Sequence, residues 1–197
     1  MSARLAPPAA TRDGQLEFSL QVSGTTLRHA LSFVGASGGL LERATVTEQT
    51  VVVCDSLRAA TSPDTHRRRV LVVEPTPLAA QRSLRAITTG RAMAVFFADE
   101  PDDLLASVHA VAADRATVPR RVIDLAAAMP ELTERQLAVL VGIASGRRNH
   151  EIARSLHLSA ASVKRELAEL FRSLGAQNRI EASVVCLQLG IRPGVYA

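Results

Sequence analysis

Apolar residues in the first half of the chain follow two patterns that alternate along the sequence. Short apolar or alternating runs, which indicate strands, occupy residues 16–22, 43–47, 50–54, 70–73 and 93–98. Apolar residues recur at helical spacing in residues 25–34, 78–88 and 101–113. Several strand-like runs are apolar almost throughout, which is typical of strands buried on both faces. This half therefore predicts an α/β domain whose mostly parallel sheet is covered by helices.

The second half of the chain is helical throughout, and its four amphipathic segments have recognisable start or stop signals. Thr133 and Gln136 form a capping box at the first segment, and Ser159 begins the third. Gly146 and Gly175 follow the first and third segments, where a left-handed residue commonly ends a helix. These signals predict a domain of four short helices.

The turn between the second and third of these helices is the most informative feature of the second half. We expect Asn149 to cap the second helix, and the third to cover residues 160–174. Leu158 and Ser159 make the connection between them, which is short enough to require a tight turn. A helix-turn-helix of this kind places its second helix in the major groove of DNA. The fourth helix covers residues 179–189.

These patterns divide the chain into four parts. Residues 1–15 are rich in Ala and Pro and predict a disordered tail. The α/β domain covers residues 16–118, and a linker of residues 119–130 follows, with a helix at residues 122–129. The four-helix domain covers residues 131–192.

The composition is compatible with two small domains and excludes few classes of function. The chain has 197 residues and a net charge of +4, which permits nucleic-acid binding without demanding it. Lys164 is the only lysine, and the other basic side chains are arginines, which suit bidentate contacts to phosphate and guanine. No apolar run is long enough to span a membrane, and the first residues lack a signal-peptide pattern. We therefore expect a cytoplasmic protein with no membrane partner.

Side chains that carry catalysis or bind metals are not clustered along the sequence. Cys54 and Cys186 lie inside apolar runs, so we expect two buried, reduced thiols. The histidines are scattered without the spacing of metal ligands. The sequence has no nucleophile–base pair and no glycine-rich phosphate loop. We therefore expect no enzymatic activity, no cofactor and no metal site.

The start of the third helix carries the residues that suit DNA recognition. Val163 and Leu167 belong to its buried stripe, which leaves Ser162, Lys164 and Arg165 free to face outward. Arg165 suits a bidentate contact to guanine, and Lys164 suits a guanine or a phosphate. The predicted DNA-contacting set, which adds phosphate contacts from the preceding helix, is Arg147, Arg148, Asn149, Arg154, Ser159, Ser162, Lys164 and Arg165.

Landmarks at fixed spacing connect this half to a known family. They are Leu132, Thr133, Arg135, Gly146, the run Asn149-His150-Glu151-Ile152-Ala153, Leu156, Leu158, Ser159, Val163, Lys164, Leu174, Gly175, Arg179 and Ala182. In this order they resemble the LuxR/NarL-type helix-turn-helix domain of bacterial transcription regulators. The resemblance implies a homodimer that binds paired half-sites of double-stranded DNA. It implies dimerisation through the last helix, for which we expect Ala182, Val185, Cys186 and Leu189.

Three positions depart from the pattern of that family. The family usually has His at Glu166, Asn at Glu169 and Glu at Gln136. Two carboxylates on the recognition helix repel phosphates if they face the groove, and are harmless if they pair with Arg154, Arg165 or Arg172. The carboxylates favour an alternative, an interaction protein whose helix-turn-helix binds a sigma factor, RNA polymerase or another regulator.

The α/β half is similar to the receiver domain of response regulators, in a truncated, flavodoxin-like form. Asp55 follows a buried strand, where the family has its phosphorylated aspartate. The acidic pair that holds Mg²⁺ is replaced by Ser23-Gly24-Thr25, and Ala98 or Asp99 stands where the family has lysine. One strand–helix unit is expected to be missing between Leu41 and Thr50. The resemblance implies an atypical receiver controlled without phosphorylation, with a conventional regulator phosphorylated on Asp55 as the alternative.

Two charged clusters in this half are interpreted as surface features. Arg67, Arg68 and Arg69 predict a solvated loop. Asp99, Glu100, Asp102 and Asp103 gather at the start of a helix, where the helix dipole stabilises carboxylates, so we expect a surface turn rather than a cation site.

Overall fold

The structure, a computed structural model, describes residues 15–47, 50–55 and 68–192. The predicted disordered tail lies outside the described residues except for Gln15, and Arg67 lies outside them as well. The statements below concern the described ranges alone.

The described chain forms two compact units, which confirms the predicted two-domain architecture. The first unit comprises the described residues up to Pro75 together with Ala79–Asp124, and the second comprises Thr76–Leu78 and the described residues from Leu125 onward. The boundary after Asp124 lies among residues 119–130, and the predicted bounds of the two domains stay predictions.

Five parallel strands form one sheet in the first unit. They are β1 (Glu17–Gln21), β2 (Leu41–Glu42), β3 (Val51–Cys54), β4 (Arg69–Val73) and β5 (Ala94–Phe97). Their order across the sheet is β2-β1-β3-β4-β5, as in flavodoxin-like folds. The order changes direction between β1 and β3, so groups at the carboxyl ends of these two strands lie at the topological switch point of the sheet. The predicted receiver-like fold is confirmed.

Three described helices accompany this sheet, namely α1 (Thr25–Ser37), α2 (Pro77–Thr88) and α3 (Asp103–Ala112). Every residue of β3 and β5 is buried. Because successive strand residues point to opposite faces, both faces of the sheet are covered, as the fully apolar runs predicted. The core is formed mainly by aliphatic side chains and phenylalanines, among them Phe18, Leu31, Val53, Phe96 and Val108.

The segment between β2 and β3 differs from the prediction in two ways. Residues 43–47 are not a strand, and the edge strand lies just before them, where Leu41 and Glu42 pair with Glu17 and Phe18. After this point Thr47 and Thr50 contact each other through their side chains, with the two hydroxyl oxygens 2.9 Å apart. The predicted edge strand is therefore present two residues earlier, as β2, and the described residues between it and β3 hold no helix.

Arg69 is a second correction in this unit. The sequence predicted a solvated loop of three arginines, but Arg69 is the first residue of β4 and is 2% exposed. It is aligned with Val52 of β3, so its side chain extends from an interior strand rather than from a loop. The run of charged residues predicted a loop, but the pairing of β4 with β3 places Arg69 in a strand.

Five helices follow along the described chain. They are α4 (Arg120–Ala127), α5 (Glu134–Ala144), α6 (Asn149–Ser155), α7 (Ala160–Ser173) and α8 (Arg179–Gln188). The last four are the predicted helical domain, and α4 begins two residues before the predicted linker helix. Among the described residues, no helix combines the length and the apolar character that crossing a bilayer requires.

The ends of these helices follow the predicted signals with one exception. Thr133 and Gln136 form the reciprocal capping box of α5, and the Ser159 hydroxyl accepts from the Ser162 backbone N–H at 3.0 Å. Gly146 and Gly175 have positive φ values of 70° and 65° after α5 and α7. The exception is α6, which begins at Asn149 with Arg148 as its N-cap, so the predicted Asn149 cap was wrong by one residue.

The reason for this shift is that the carboxylate of Glu151 caps α6. The Arg148 backbone N–H donates to Glu151 Oε2 at 2.6 Å, and this bond fixes Arg148 rather than Asn149 at the helix start. Asn149 is then inside the helix, where its side chain is free for a tertiary contact.

Candidate nucleic-acid interface

A short turn between α6 and α7 builds the helix-turn-helix. His157 has a φ of 54°, a left-handed conformation, and the Leu158 N–H donates to the Ala153 carbonyl at 2.8 Å. Ser159 then starts α7 as its N-cap. The predicted geometry of this turn is therefore present, and it fixes which face of α7 is buried.

The buried and exposed faces of α7 match the predicted periodicity. Val163, Leu167 and Leu170 are buried in the helical core, whereas Lys164 and Arg165 are exposed. Neither Lys164 nor Arg165 forms an ion pair within the described part of the chain. Both cations thus extend from the first turns of α7 with their donors available.

Ser162 and Ser159 have a different role from the other predicted contact residues. Their hydroxyl oxygens lie 2.9 Å apart, and the Ser162 N–H is bound to the Ser159 hydroxyl. Ser162 is half-buried. Both serines therefore stabilise the start of the recognition helix, and a DNA contact from either one stays a prediction.

The two carboxylates of α7 lie in different environments. The Glu166 side chain is 16% exposed, and its Oε1 lies 4.0 Å from Arg135 Nη1 of α5. Glu169 is exposed. Glu166 is therefore turned toward the body of the domain, and one carboxylate remains on the solvent face of α7.

The turn between α5 and α6 concentrates positive charge. Arg147 and Arg148 of this turn are exposed, as is Arg154 in the last turn of α6. Gly146 to His150, Ala160 and Arg179 line a shallow, open groove of about 480 Å³. Three of these lining residues are arginines, which gives the groove a charge that suits phosphate groups.

Glu151 is the acidic residue of this turn, and its neighbours keep it ionised. The backbone N–H of Arg148 lowers the pKa of Glu151, and nearby His150, Arg148 and Arg147 lower it further by their charges. Its carboxylate accepts the Arg148 backbone N–H and so caps α6. The carboxylate therefore acts at the helix start, beside the cationic groove.

Arg179 is a residue of this site whose role sequence reasoning missed. It is the first residue of α8 and is half-buried. Its Nη1 donates to Asn149 Oδ1 at 3.1 Å, and its Nη2 donates to the Arg147 carbonyl. The partners are separated by about thirty residues, so no local pattern could have identified the contact.

The structure corrects the set of dimerisation residues that we expected in the last helix. Ala182, Cys186 and Leu189 are buried in the core of their own unit, and Val185 is half-buried. Burial raises the pKa of the Cys186 thiol to about 11, which keeps it protonated at neutral pH. Ala182, Cys186 and Leu189 therefore have almost no surface left for a second chain, whereas Val185 keeps a part of its surface.

The exposed face of α8 is nevertheless apolar. Ile180 is 78% exposed, Val184 49% and Leu187 56%, and these positions recur at helical spacing on one side. The helix is therefore apolar on two faces, one turned to the core and one to solvent.

At the switch point of the α/β unit, Asp55 is bound by Ser23. The Asp55 Oδ2 accepts from the Ser23 backbone N–H at 2.7 Å and from the Ser23 hydroxyl at 2.5 Å. A hydroxyl therefore stands beside the carboxylate where a conventional receiver has Mg²⁺-binding acids. Among the described residues, no cluster of three or more His, Cys, Asp or Glu suits a metal ion. The residues present do not fit the magnesium site that phosphorylation requires.

The acidic residues after β5 form an ion-pair cluster. Arg121 of α4 donates to Asp99 Oδ2 at 2.9 Å and to Glu100 Oε1 at 2.5 Å, and its guanidinium lies 4.7 Å from the centre of the Phe97 ring. The Asp99 hydrogen bond and the nearby acidic charges raise the pKa of Arg121. Two of the four carboxylates, those of Asp99 and Glu100, thus bind the guanidinium of Arg121.

Comparisons with known proteins agree with both halves of the chain. Residues 130–186 match the family model of the bacterial regulatory proteins of the luxR family (GerE). The chain is 33% identical over 175 residues to the probable transcriptional regulatory protein SgaR of Hyphomicrobium methylovorum, covering 83% of this chain and 82% of SgaR. It is also 39% identical over 61 residues to the transcriptional regulatory protein YdfI of Bacillus subtilis (strain 168), covering 31% of this chain and 29% of YdfI.

Solved structures show the same fold at low identity. A structure of two RcsB dimers bound to two parallel DNAs matches 89% of this chain and 99% of that chain, with a TM-score of 0.52 and 12% identity. A complex of the two-component response regulator RcsB with DNA matches 89% of this chain and 99% of that chain, with a TM-score of 0.51 and 13% identity. These matches extend the likeness over both units.

Proposed function

Because the chain belongs to the luxR family of bacterial regulatory proteins, we propose that it is a transcription regulator that binds double-stranded DNA as a homodimer. Helix α7 enters the major groove of each half-site, with Lys164 and Arg165 contacting bases. The N-terminal unit controls this activity without phosphorylation.

The observation that carries the proposal is the exposed cationic start of α7, whose Lys164 and Arg165 form no ion pair with the residues that the structure describes. A recognition helix contacts base edges with its N-terminal residues, and Lys164 and Arg165 occupy that position. Arg147, Arg148 and Arg154 are exposed nearby, on the preceding turn and helix. They suit phosphate contacts, which set the register of the protein on the duplex.

The orientation of Glu166 favours DNA over a purely protein partner. Of the two carboxylates that supported the interaction-protein alternative, Glu166 is turned toward Arg135 and is 16% exposed. One exposed carboxylate, Glu169, remains among several exposed cations. This balance supports attraction to a phosphate backbone.

Salt dependence of duplex binding tests the proposal. If each protomer uses Arg147, Arg148 and Arg154 on phosphates, a dimer makes about six contacts and log K falls with log salt at a slope of about −5. Affinity then falls by about 10³-fold between about 50 and 200 mM salt. The measurement is a fluorescence titration of the full chain with a duplex recovered by genome-wide mapping of bound DNA.

A matched control for charge is Arg85→Ala, which removes an exposed arginine from α2. This variant is expected to keep the slope of the parent chain. Failure to bind any duplex at low salt, together with capture of RNA polymerase or a sigma factor, would establish the interaction-protein alternative instead.

The contacts of Asp55 with Ser23 support the proposed independence from phosphorylation. Phosphoryl transfer to a carboxylate needs Mg²⁺ held by further acids, and Ser23 occupies that position with its hydroxyl bound to Asp55. Incubation with Mg²⁺ and acetyl phosphate is therefore expected to leave the mass of the chain unchanged by intact mass spectrometry. A conventional response regulator in the same tube serves as the positive control.

The Asp55→Asn variant gives the second readout of this prediction. It is expected to bind duplex with the affinity of the parent chain, because no phosphorylated state contributes to activity. A phosphoryl adduct mapped to Asp55 would establish the conventional response-regulator alternative.

A further inference from the structure

The α5–α6 turn is held to the start of α8 by one guanidinium. Arg179 donates from Nη1 to Asn149 Oδ1 at 3.1 Å and from Nη2 to the carbonyl of Arg147. The two acceptors flank Arg148, so a single planar side chain contacts both sides of the exposed cationic turn. Lysine offers no such fork, because its donors radiate from one nitrogen.

The backbone N–H groups of Arg147 and Arg148 make local hydrogen bonds. The Arg147 N–H donates to the Gly142 carbonyl at 3.0 Å, which closes the end of α5, and the Arg148 N–H donates to Glu151 at 2.6 Å, which opens α6. Both bonds join residues that are close in sequence. Within the described residues, the hydrogen bonds that reach this turn from a distant part of the chain come from Arg179.

The donors of Arg179 are directed inward, unlike those of its neighbours. Arg147 and Arg148 are exposed, whereas Arg179 is half-buried and has both Nη atoms bound to the turn. The same side chain forms part of the lining of the cationic groove. Both Nη atoms of Arg179 are therefore bound within the protein, whereas Arg147 and Arg148 form no ion pair with any described residue.

We propose that Arg179 is a positioning residue that aims Arg147 and Arg148 at the DNA backbone. This inference rests on the proposed function. Because Arg179 is the first residue of α8, it also joins the phosphate-contacting turn to the helix whose apolar face is exposed. The spacing of phosphate contacts in a dimer is then set through this joint.

Two substitutions separate positioning from charge. Arg179→Lys keeps the charge and loses the fork, and Arg179→Ala loses both. Both variants are expected to weaken duplex binding and to lower the magnitude of the salt slope by up to about 1.8 per protomer, since each phosphate contact contributes about 0.9. Full rescue by lysine would overturn the proposal in favour of a direct charge contact.

A coupling measurement completes the test. In a chain that already carries Arg147→Ala and Arg148→Ala, the Arg179→Lys substitution is expected to have no further effect on affinity, because the side chains that it aims are gone. An additive loss would overturn the proposal, as would an unchanged salt slope with a lowered melting temperature. Absence of salt-dependent binding in the parent chain would instead count against the proposed function itself.

Discussion

Replacing Lys164 and Arg165 together by alanine is expected to abolish sequence-specific DNA binding while leaving the fold intact. Both side chains are exposed on the first turns of α7, so their removal creates no cavity. A good bidentate base contact contributes about 1–3 kcal/mol of discrimination, so the pair accounts for about 2–6 kcal/mol. Competition titrations of the full chain with its mapped site and with a scrambled duplex measure this difference.

Two single substitutions serve as controls for the base-reading assignment. Arg147→Ala removes a predicted phosphate contact and is expected to weaken binding to every duplex alike, which lowers affinity without changing the preference for the site. Arg172→Ala removes an exposed arginine from the last turn of α7. Its effect on specificity is expected to be smaller than that of the double variant. Unchanged occupancy of genomic sites by the double variant would show that bases are read elsewhere.

The elements of the fold were predictable wherever local signals and burial agreed. The runs at β3, β4 and β5 are apolar enough to be recognised as interior strands, and the caps at Thr133 and Ser159 fix helix starts through their own side chains. Boundaries failed where a distant or competing partner decided the outcome. The two-residue strand β2 exists because β1 offers it a pairing edge, which no property of residues 41–47 reveals.

The candidate site was predictable to the extent that helical periodicity determines it. Burial of Val163 and Leu167 leaves Lys164 and Arg165 exposed, because residues one position apart on a helix lie about 100° apart around its axis. Arg179 was not predictable as a positioning residue, since its contacts join segments that are adjacent only after folding. The pairing of Ser23 with Asp55 has the same origin, the adjacency of β1 and β3 in the sheet.

Helix α8 shows why an apolar stripe does not identify its partner. Its sequence contains apolar residues on two faces, and periodicity gives both the same weight. The structure buries Ala182 and Cys186 against the helical core and leaves Ile180 and Val184 in solvent. We therefore propose that a dimer contact uses the exposed face, whose apolar surface takes no part in core packing.

Introducing a charge on that exposed face is expected to separate the protomers. In Val184→Glu, a carboxylate in the middle of the Ile180, Val184 and Leu187 face must be desolvated in any apolar contact between two copies of α8. Loss of the dimer removes the advantage of binding two half-sites at once, which amounts to about 10²–10⁴-fold in affinity. Analytical ultracentrifugation and titration with duplexes containing one or two half-sites measure both effects.

Substitutions on the same helix distinguish an interface from the core. Val184→Leu keeps the face apolar and is expected to remain dimeric, whereas Ala182→Glu buries a charge in the core and is expected to unfold the helical unit. A single half-site should bind Val184→Glu and the parent chain equally, because α7 is untouched. If Val184→Glu remains a dimer with full affinity for paired half-sites, the protomers associate through a surface other than α8.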